Sequence, residues 1–362
     1  MDNKLVIDLA KSLIEINTEN PPGREIEAAR FIRDYLEEAS IESELIEFSS
    51  GRANLIASVG EGNGLMINGH LDTVPSDGIK ASSVDGDKLY GRGASDMKGG
   101  IAAILASIKG LDFKKIKRKL LLTFVADEEV NFEGTKLLLD ERKDIFRDIN
   151  CGVIAEPTSL NIQIAQKGLV GMDIFFSGKA AHGSTPWLGE NAIEKASRFI
   201  TKLNAIDFNK VKENKLLGPN TLNIGKISGG IASNIVPPEC KLSIDIRTTS
   251  EEVTKEGVEI IKKLLLDVDK NSRIKIKHIR NPVYVNPDLE IVEKLKKISG
   301  SKLVGSPFYT EAELYKNNAG IECVVFGPGD ISVSHKPNEY VSIKNLKKSE
   351  IVFNKLIQEW CF

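Results

Sequence analysis

Hydrophobic positions along the chain follow two spacings, one helical and one extended. Apolar residues recur every three or four positions over 4–17 and again over 28–39, and a third helical pattern covers 99–111. Short apolar runs of strand length lie between and after these segments; they are 43–48, 53–59, 65–68, 120–126, 152–155 and 323–326. Helices that alternate with short buried strands predict an α/β fold, with a mixed, mostly parallel sheet flanked by helices.

The middle of the chain has another order of elements. Its patterns predict, in sequence, a strand over 169–177, a helix over 190–203, strands over 221–228 and 241–247, a helix over 251–268 and a strand over 273–279. This βαββαβ order is that of the ferredoxin-like unit. We therefore predict two domains, one made of 1–167 and 281–362 and one inserted over 168–280. Helices near 287–299 and 342–360 would complete the first domain.

Charge and composition exclude several classes of protein. The 362 residues include 49 basic and 51 acidic side chains, a net charge of −2, which gives no electrostatic basis for nucleic-acid binding. The basic run 114–119 directly precedes the most apolar strand, so it is interpreted as a solvated flank of that strand. No apolar run approaches the roughly 20 residues of a membrane helix. We expect no membrane association.

The cysteines and the first residues bear on the compartment. Cys151, Cys240, Cys323 and Cys361 are far apart and form no CxxC pair, which favours reduced thiols over a disulfide framework. The N-terminal segment lacks both a basic region and a small-residue cleavage site, so we expect no secretory signal. The sequence therefore predicts a cytoplasmic protein.

Five polar stretches stand out from the surrounding pattern. They are 69–73 (GHLDT), 95–100 (SDMKGG), 126–129 (ADEE), 155–158 (AEPT) and 335–339 (HKPNE). Four of them follow a predicted strand directly or nearly so. Because the carboxyl ends of parallel strands line one crevice, residues far apart in sequence are expected to converge there.

Two imidazoles and several carboxylates would meet in that crevice. This donor set suits a pair of divalent cations such as zinc. Two cations held about 3.5–4 Å apart need one shared carboxylate and terminal ligands for each. A metal-bound imidazole also needs an acceptor for its other N–H, which Asp72 would supply to His70.

Together these stretches resemble a known family. GHLDTVP, GRGASDMKGG, DEE, AEPT and HKPNE are similar, in order and spacing, to the five metal-site motifs of the co-catalytic zinc family that contains acetylornithine deacetylase, succinyl-diaminopimelate desuccinylase, aminoacylase and carboxypeptidase G. The resemblance covers nearly the whole chain, including the inserted domain, and implies that this domain serves as a lid. It implies His70, Asp96 and Glu156 as ligands of one metal, and Asp96, Glu129 and His335 as ligands of the other.

Further roles are implied by the same resemblance. Glu128 would be the general base, Asp72 would orient His70, and His182 would lie near the oxyanion. The implied substrate contacts are Asn234, Arg247 and Thr310. The resemblance also implies two divalent ions, zinc in the first place with cobalt able to substitute, and a homodimer formed through the inserted domain.

The expected reaction is hydrolysis of the amide bond of a small N-acyl amino acid, with Glu128 taking a proton from the attacking water. The segment 327–330 (GPGD) favours acetylornithine-deacetylase-like members, whereas HKPNE also suits desuccinylase-like ones. The loop 306–310 (SPFYT) departs from the glycine-rich loop of the desuccinylases, which argues against a succinyl substrate without excluding it. A dipeptidase or carboxypeptidase of the same family is the alternative, and a non-catalytic binding protein on the same fold is a remote one.

Simpler interpretations exist for individual residues. The acidic stretch 127–129 is typical of a solvated loop after a strand, the loop around His182 also suits a plain turn, and Arg247 suits a surface ion pair. The preceding apolar strand and the other four stretches decide against the first of these. No neighbouring motif decides between the simple and the functional interpretation of His182 and Arg247.

Overall fold

Residues 4–76, 81–207 and 215–362 are described by a computed structural model, in which the chain forms two compact units. The first unit comprises Met1–Ile164, Val285–Val304 and Glu311–Phe362. The second comprises Ala165–Tyr284 and Gly305–Thr310. The short stretch Gly305–Thr310, which the sequence pattern assigned to the first domain, thus groups with the second unit.

The helices are α1 (Leu5–Glu15), α2 (Glu25–Glu38), α3 (Gly99–Ile108), α4 (Glu133–Glu141), α5 (Ala192–Asn204), α6 (Glu251–Val268), α7 (Glu290–Ser299), α8 (Ala312–Ala319) and α9 (Ile343–Cys361). The strands are β1 (Ser43–Ser49), β2 (Arg52–Val59), β3 (Gly64–His70), β4 (Ser83–Asp85), β5 (Lys88–Tyr90), β6 (Leu120–Val125), β7 (Ile149–Ile154), β8 (Ile162–Gln166), β9 (Gly168–Ser177), β10 (Thr221–Gly229), β11 (Glu239–Thr248), β12 (Arg273–Arg280), β13 (Val283–Tyr284), β14 (Leu303–Ser306), β15 (Glu322–Val325) and β16 (Tyr340–Ser342).

The first unit is built on a mixed sheet with the strand order β1-β2-β6-β3-β7-β15-β8. Its four central strands, β6, β3, β7 and β15, are parallel, and the flanking pairs are antiparallel. Helices α1, α3 and α9 pack together on one side, while α4 and α8 join the apolar cluster on the other. The predicted α/β fold with a mixed sheet flanked by helices is confirmed, and its parallel part is the centre of the sheet.

Burial on both faces explains the apolar runs. Every residue of β3 and β6 is buried, as is every residue of α3, because helices cover the sheet on both sides. At the contact of α3 with the sheet, a Cβ on Gly69 would lie 2.9 Å from the side chain of Ile101. This close approach sets the helix directly against the strand that ends in His70.

The second unit is an antiparallel sheet with the strand order β10-β11-β9-β12. Helices α5 and α6 pack on it through a core that includes Met172, Phe199, Ile244 and Ile261. The element order and the pairing are those of the ferredoxin-like unit. Segment 251–268 forms a helix with the predicted bounds.

Several short elements were not predicted from the sequence. They include the three-stranded sheet β16-β5-β4, strands β8, β13 and β14, and helices α4 and α8. Strands of two to five residues carry too few positions for a period to emerge. None of the helices in the described part of the chain is long and apolar enough to cross a membrane.

Candidate metal centre

The carboxyl edge of the four parallel strands carries the acidic and imidazole side chains. β3 ends at His70, β6 leads into 127–129, and Glu156 follows β7 by two residues. His335 comes from the loop after β15 and adopts a left-handed backbone conformation, with φ of 62°. The predicted convergence of these distant residues occurs, and it takes place within the first unit.

Asp96 lies at the centre of the cluster. Its Oδ1 is 3.1 Å from Nε2 of His70, and its Oδ2 is 3.3 Å from Nε2 of His335. Because the two oxygens face different imidazoles, the carboxylate is placed to bridge two cations. The other partners are arranged accordingly, with Glu156 3.6 Å from His70 and Glu129 3.0 Å from His335.

Ligand atoms in the cluster are close enough to share cations. Atoms of His70, Glu128 and Glu156 lie within 4.8 Å of one another, and so do atoms of His70, Asp96 and Glu129. The five proposed ligands and the proposed base are thus brought together in one place.

Electrostatics explain why such a cluster needs cations. Burial raises the pKa values of Glu128, Glu129 and Glu156, and neighbouring carboxylates raise them further. Burial also opposes the charge of Asp96, but hydrogen bonds from His335 and His70 outweigh it and hold the pKa of Asp96 below its usual value. Buried carboxylates held this close repel one another unless cations compensate them. The donor set therefore fits two divalent ions with nitrogen and oxygen ligands.

The hydrogen bonds of Asp72 differ in detail from the expected arrangement. Nδ1 of His70 lies 2.9 Å from the backbone oxygen of Asp72 and 3.6 Å from its carboxylate. The backbone carbonyl, rather than the carboxylate, therefore fixes the ring so that Nε2 faces Asp96. The Asp72 carboxylate instead accepts the backbone N–H groups of Glu128 (3.0 Å) and Glu129 (3.2 Å).

A second buried carboxylate holds the Asp96 segment in a similar way. Oε1 of Glu339 accepts the N–H groups of Ser95 and Asp96, at 2.9 and 3.1 Å. Its Oε2 accepts a hydrogen bond of 2.7 Å from Arg92. Glu339 belongs to the HKPNE stretch, but the sequence analysis assigned it no role.

Glu311 is a third carboxylate that the sequence analysis left without a role. It is fully buried and accepts hydrogen bonds from Asn68, two residues before His70, and from Thr135. Burial raises the pKa of Glu311. Its position next to Thr310 was the signal in the sequence that could have pointed to Glu311. A single acidic residue in a loop, however, gives no sign of being buried.

The proposed substrate-contacting residues lie in the second unit. Nδ1 of His182 is 2.7 Å from the hydroxyl of Ser184, and the backbone oxygen of Asn234 accepts the N–H of Gly183, so these two loops pair. Arg247 donates to Asp245 at 2.8 Å.

Thr310, also in the second unit, is buried, and its hydroxyl donates to Gln166 at 2.7 Å. The resemblance implied a substrate contact for Thr310, which stays a prediction.

The family of the chain follows from comparison with known proteins. The model of peptidase family M20/M25/M40 matches residues 66–359, a span that holds all five metal-site stretches. The chain belongs to this family. This membership confirms the resemblance found from the motifs, and it makes the protein a metal-dependent hydrolase of amide or peptide bonds.

Curated relatives and solved structures of the M20 family agree with this assignment. A peptidase M20 domain-containing protein of Schizosaccharomyces pombe is 33% identical, covering 94% of this chain and 81% of the relative. An acetylornithine deacetylase of Myxococcus xanthus is 32% identical, covering 93% and 90%. The aminopeptidase PepT of Bacillus cereus has the same fold, with a TM-score of 0.83 at 20% identity over 99% of both chains.

A further solved structure bears on the cations. A dinuclear-metal-binding M20 peptidase of Bacillus subtilis matches with a TM-score of 0.73 at 17% identity, over 98% of this chain and 97% of that one. At this identity the match shows a common fold. The case for two cations in this chain therefore depends on its own ligand atoms.

Metal uptake is expected to release protons. In the metal-free protein, hydrogen bonds to Asp96 and Glu129 raise the pKa of His335 to about 10, so its ring is protonated at neutral pH. A histidine must lose that proton to bind a metal, and so affinity should rise with pH up to about 10 and fall as pH decreases. Titration calorimetry with zinc at pH 7, in two buffers of different ionisation enthalpy, measures the protons released.

A matched pair of histidine variants tests the source of the protons. His335→Gln should lower the release by about one proton, since it removes one protonated ligand. His278→Gln, which changes a histidine of β12 in the second unit, should leave the release unchanged. Zinc uptake by the unmodified protein without net proton release would contradict the assignment of His335.

Proposed function

We propose that this M20 enzyme hydrolyses the amide bond of an N-acyl amino acid, in the manner of an acetylornithine deacetylase. The observation that carries the proposal is the cluster of two histidines, buried His70 and half-exposed His335, and four carboxylates at the carboxyl edge of the parallel strands, in which Asp96 faces both imidazoles. Support for the substrate class comes from the acetylornithine deacetylase that is 32% identical over most of both chains.

The residues of the first unit have defined parts in this reaction. When bound, two divalent ions would polarise the amide carbonyl and increase the acidity of water. His70, Asp96 and Glu156 would hold one ion, and Asp96, Glu129 and His335 the other. We propose zinc as the natural ion, with cobalt as a substitute, because both accept nitrogen and oxygen ligands.

Glu128 would transfer the proton. Its carboxyl group is buried beside Glu156, and both burial and that neighbour raise its pKa, which favours a group able to hold a proton between two steps. It takes a proton from the water whose oxygen forms the new C–O bond. It then delivers this proton to the amine nitrogen as the C–N bond breaks, so one carboxyl group serves both steps.

Residues of the second unit are proposed to contact the substrate. His182 would donate to the developing oxyanion, and Arg247 would bind the carboxylate of the amino-acid portion, for which its planar fork is suited. Asn234 and Thr310 remain proposed contacts of the same loops. These four assignments are supported by the family to which the chain belongs.

Peptide hydrolysis is the second candidate. The family model that matches 66–359 is that of a peptidase family, and a peptide bond is an amide that the same residues would cleave. A dipeptide and an N-acyl amino acid differ in the group on the acyl side. The distinction therefore depends on substrate choice and not on the metal-site residues.

A substrate panel tests the proposed function. Initial rates should be measured with zinc or cobalt on N-acetylornithine, N-succinyl-diaminopimelate, simple N-acetyl amino acids and a set of dipeptides. We expect the highest kcat/KM for an acetyl amino acid, and complete loss after chelation with recovery on adding metal. A preference for dipeptides would establish the second candidate, and no hydrolysis of either class would refute both.

The role of Glu128 is tested by Glu128→Gln. This variant should lose on the order of 10²–10⁴ in kcat, because the amide cannot accept the proton, while zinc content stays near that of the unmodified protein. Glu133→Gln is the matched control, since Glu133 lies five residues later and is exposed. A Glu128→Gln enzyme with ordinary turnover would show that another group is the base.

We also propose that the protein is a cytoplasmic homodimer formed through the second unit. Four buried free thiols support a reducing compartment. Strand β10 pairs within the described residues only with β11, which leaves its other edge for a second copy. Ile227 of β10 and Ile231, two residues beyond its end, are 57% and 74% exposed. An antiparallel pairing of two β10 strands would close the assembly by twofold symmetry.

Light scattering of the eluting protein tests the dimer. The unmodified protein should have a molar mass of twice 39.7 kDa. Ile231→Arg should lower the mass to that of the monomer, because a charge would replace an apolar contact. Leu266→Arg is the matched control, since Leu266 is 58% exposed on α6. A monomeric unmodified protein would contradict the proposal.

A further inference from the structure

A layer of buried polar residues lies behind the loop that carries Glu128. The amide Nδ2 of Asn20 donates to Oδ2 of Asp72 at 2.9 Å and to Oδ1 of Asp127 at 2.8 Å. All three side chains are buried. The amide group of Asn20 therefore links the carboxylates of Asp72 and Asp127. Both carboxylates contact the loop 127–133, the base loop, which carries Glu128.

Arg52 supplies the positive charge of this layer. Its Nη2 lies 2.9 Å from Oδ1 of Asp127, and its guanidinium makes two contacts with the carboxylate of Glu25, at 2.5 and 3.2 Å. The side chain of Arg52 is only 12% exposed, and those of its two partners are buried. A single guanidinium thus compensates two buried carboxylates.

The two carboxylates bonded to Asn20 hold the base loop from opposite ends. Asp72 accepts the N–H groups of Glu128 and Glu129, and Oδ2 of Asp127 accepts the N–H of Glu133 at 3.2 Å. Asp127 itself has a left-handed backbone with φ of 67°, a conformation that a non-glycine residue keeps only when its surroundings enforce it. The hydrogen bonds to its carboxylate supply that enforcement.

Loss of either donor would leave buried negative charge uncompensated. Without Asn20, two buried carboxylates would lose a shared N–H donor, and without Arg52, Glu25 and Asp127 would face each other with no cation between them. The loop would relieve the repulsion by moving. Glu128 lies in that loop and would move with it.

We propose that Asn20 and Arg52 are positioning residues for Glu128, acting through the carboxylates of Asp72 and Asp127. The proposal rests on the proposed function to the extent that Glu128 is the general base. Neither residue belongs to the ligand set, so their effect on metal binding is expected to be small.

Gly23 provides space for this arrangement. It has a left-handed backbone with φ of 82°, and a Cβ at this position would lie 2.4 Å from Nε of Arg52. The backbone of the turn after Asn20 therefore passes against the guanidinium group. The segment from Asn20 to Gly23 therefore supplies the amide donor and leaves space for the guanidinium group of Arg52.

The experiment compares Asn20→Ala, Arg52→Gln and Arg52→Lys with Arg142→Gln in the full chain. Arg142 is the matched control, since it also pairs with two carboxylates, Glu44 and Asp144, but both of these are exposed and Arg142 itself is only partly buried. Four quantities are measured: kcat and KM on the best substrate, zinc affinity, and hydrogen exchange of the Glu128 and Glu129 amides in the metal-free protein.

The first two variants should lower kcat on the order of 10²-fold, the loss that accompanies a displacement of about 1 Å, with KM and zinc affinity little changed. Exchange of the two amides should accelerate roughly tenfold, as for the loss of one charge-assisted hydrogen bond. Arg52→Lys keeps the charge and should recover part of the kcat and part of the protection of the two amides from exchange. Arg142→Gln should change neither.

Hydrogen exchange separates failure of this inference from failure of the proposed function, because it requires no turnover. Unchanged exchange in Asn20→Ala and Arg52→Gln would overturn the inference, whatever the activity. A loss of kcat that only follows lost zinc or global unfolding would overturn it too. Faster exchange in an enzyme inactive on every substrate would refute the proposed function alone. If Arg52→Gln does not fold, Arg52→Lys and Asn20→Ala carry the same comparison.

Discussion

Mutual repulsion among buried carboxylates is the constraint on which this structure depends. The ends of parallel strands, together with the segment before α3, bring Asp96, Glu128, Glu129 and Glu156 within a few ångströms of two imidazoles, with the four carboxylates largely shielded from water. Such a set is tolerated only where cations and directed hydrogen bonds offset the cost of burying its charge. This need for cations also bears on the reaction, because divalent ions bound at such a site polarise a carbonyl group.

The same constraint extends one layer outward. Asp72 and Glu339 lie outside the proposed ligand set, yet each accepts two backbone N–H groups from a segment that carries cluster residues. A backbone segment held at two successive N–H groups has little freedom to rotate, so its side chains keep one orientation. These outer carboxylates in turn need donors of their own, which Asn20 and Arg92 supply. Precise placement of the reacting groups thus depends on residues two contacts away.

The sequence predicted the fold class, the helix 251–268 and the convergence of the five polar stretches, since the first two depend on a local period and four of the stretches follow a strand end. It did not predict the outer layer. It assigned no role to Asn20, because burial and partners 52 and 107 residues away leave no mark on a short segment. The pairing of Nδ1 of His70 with a backbone oxygen was also missed, since a sequence motif shows side chains and not carbonyls.

The residues proposed to hold cations and those proposed to contact the substrate belong to different parts of the chain. All five proposed ligands and Glu128 belong to the first unit, whereas His182, Asn234 and Arg247 belong to the second. Residues that hold cations cannot change without loss of the charge balance described above, but the loops of the second unit are free of that constraint. Different members of one family can therefore keep the amide chemistry and alter the group they accept. This division explains why the motifs specify the hydrolysis of an amide and leave the acyl group to be determined by kinetics.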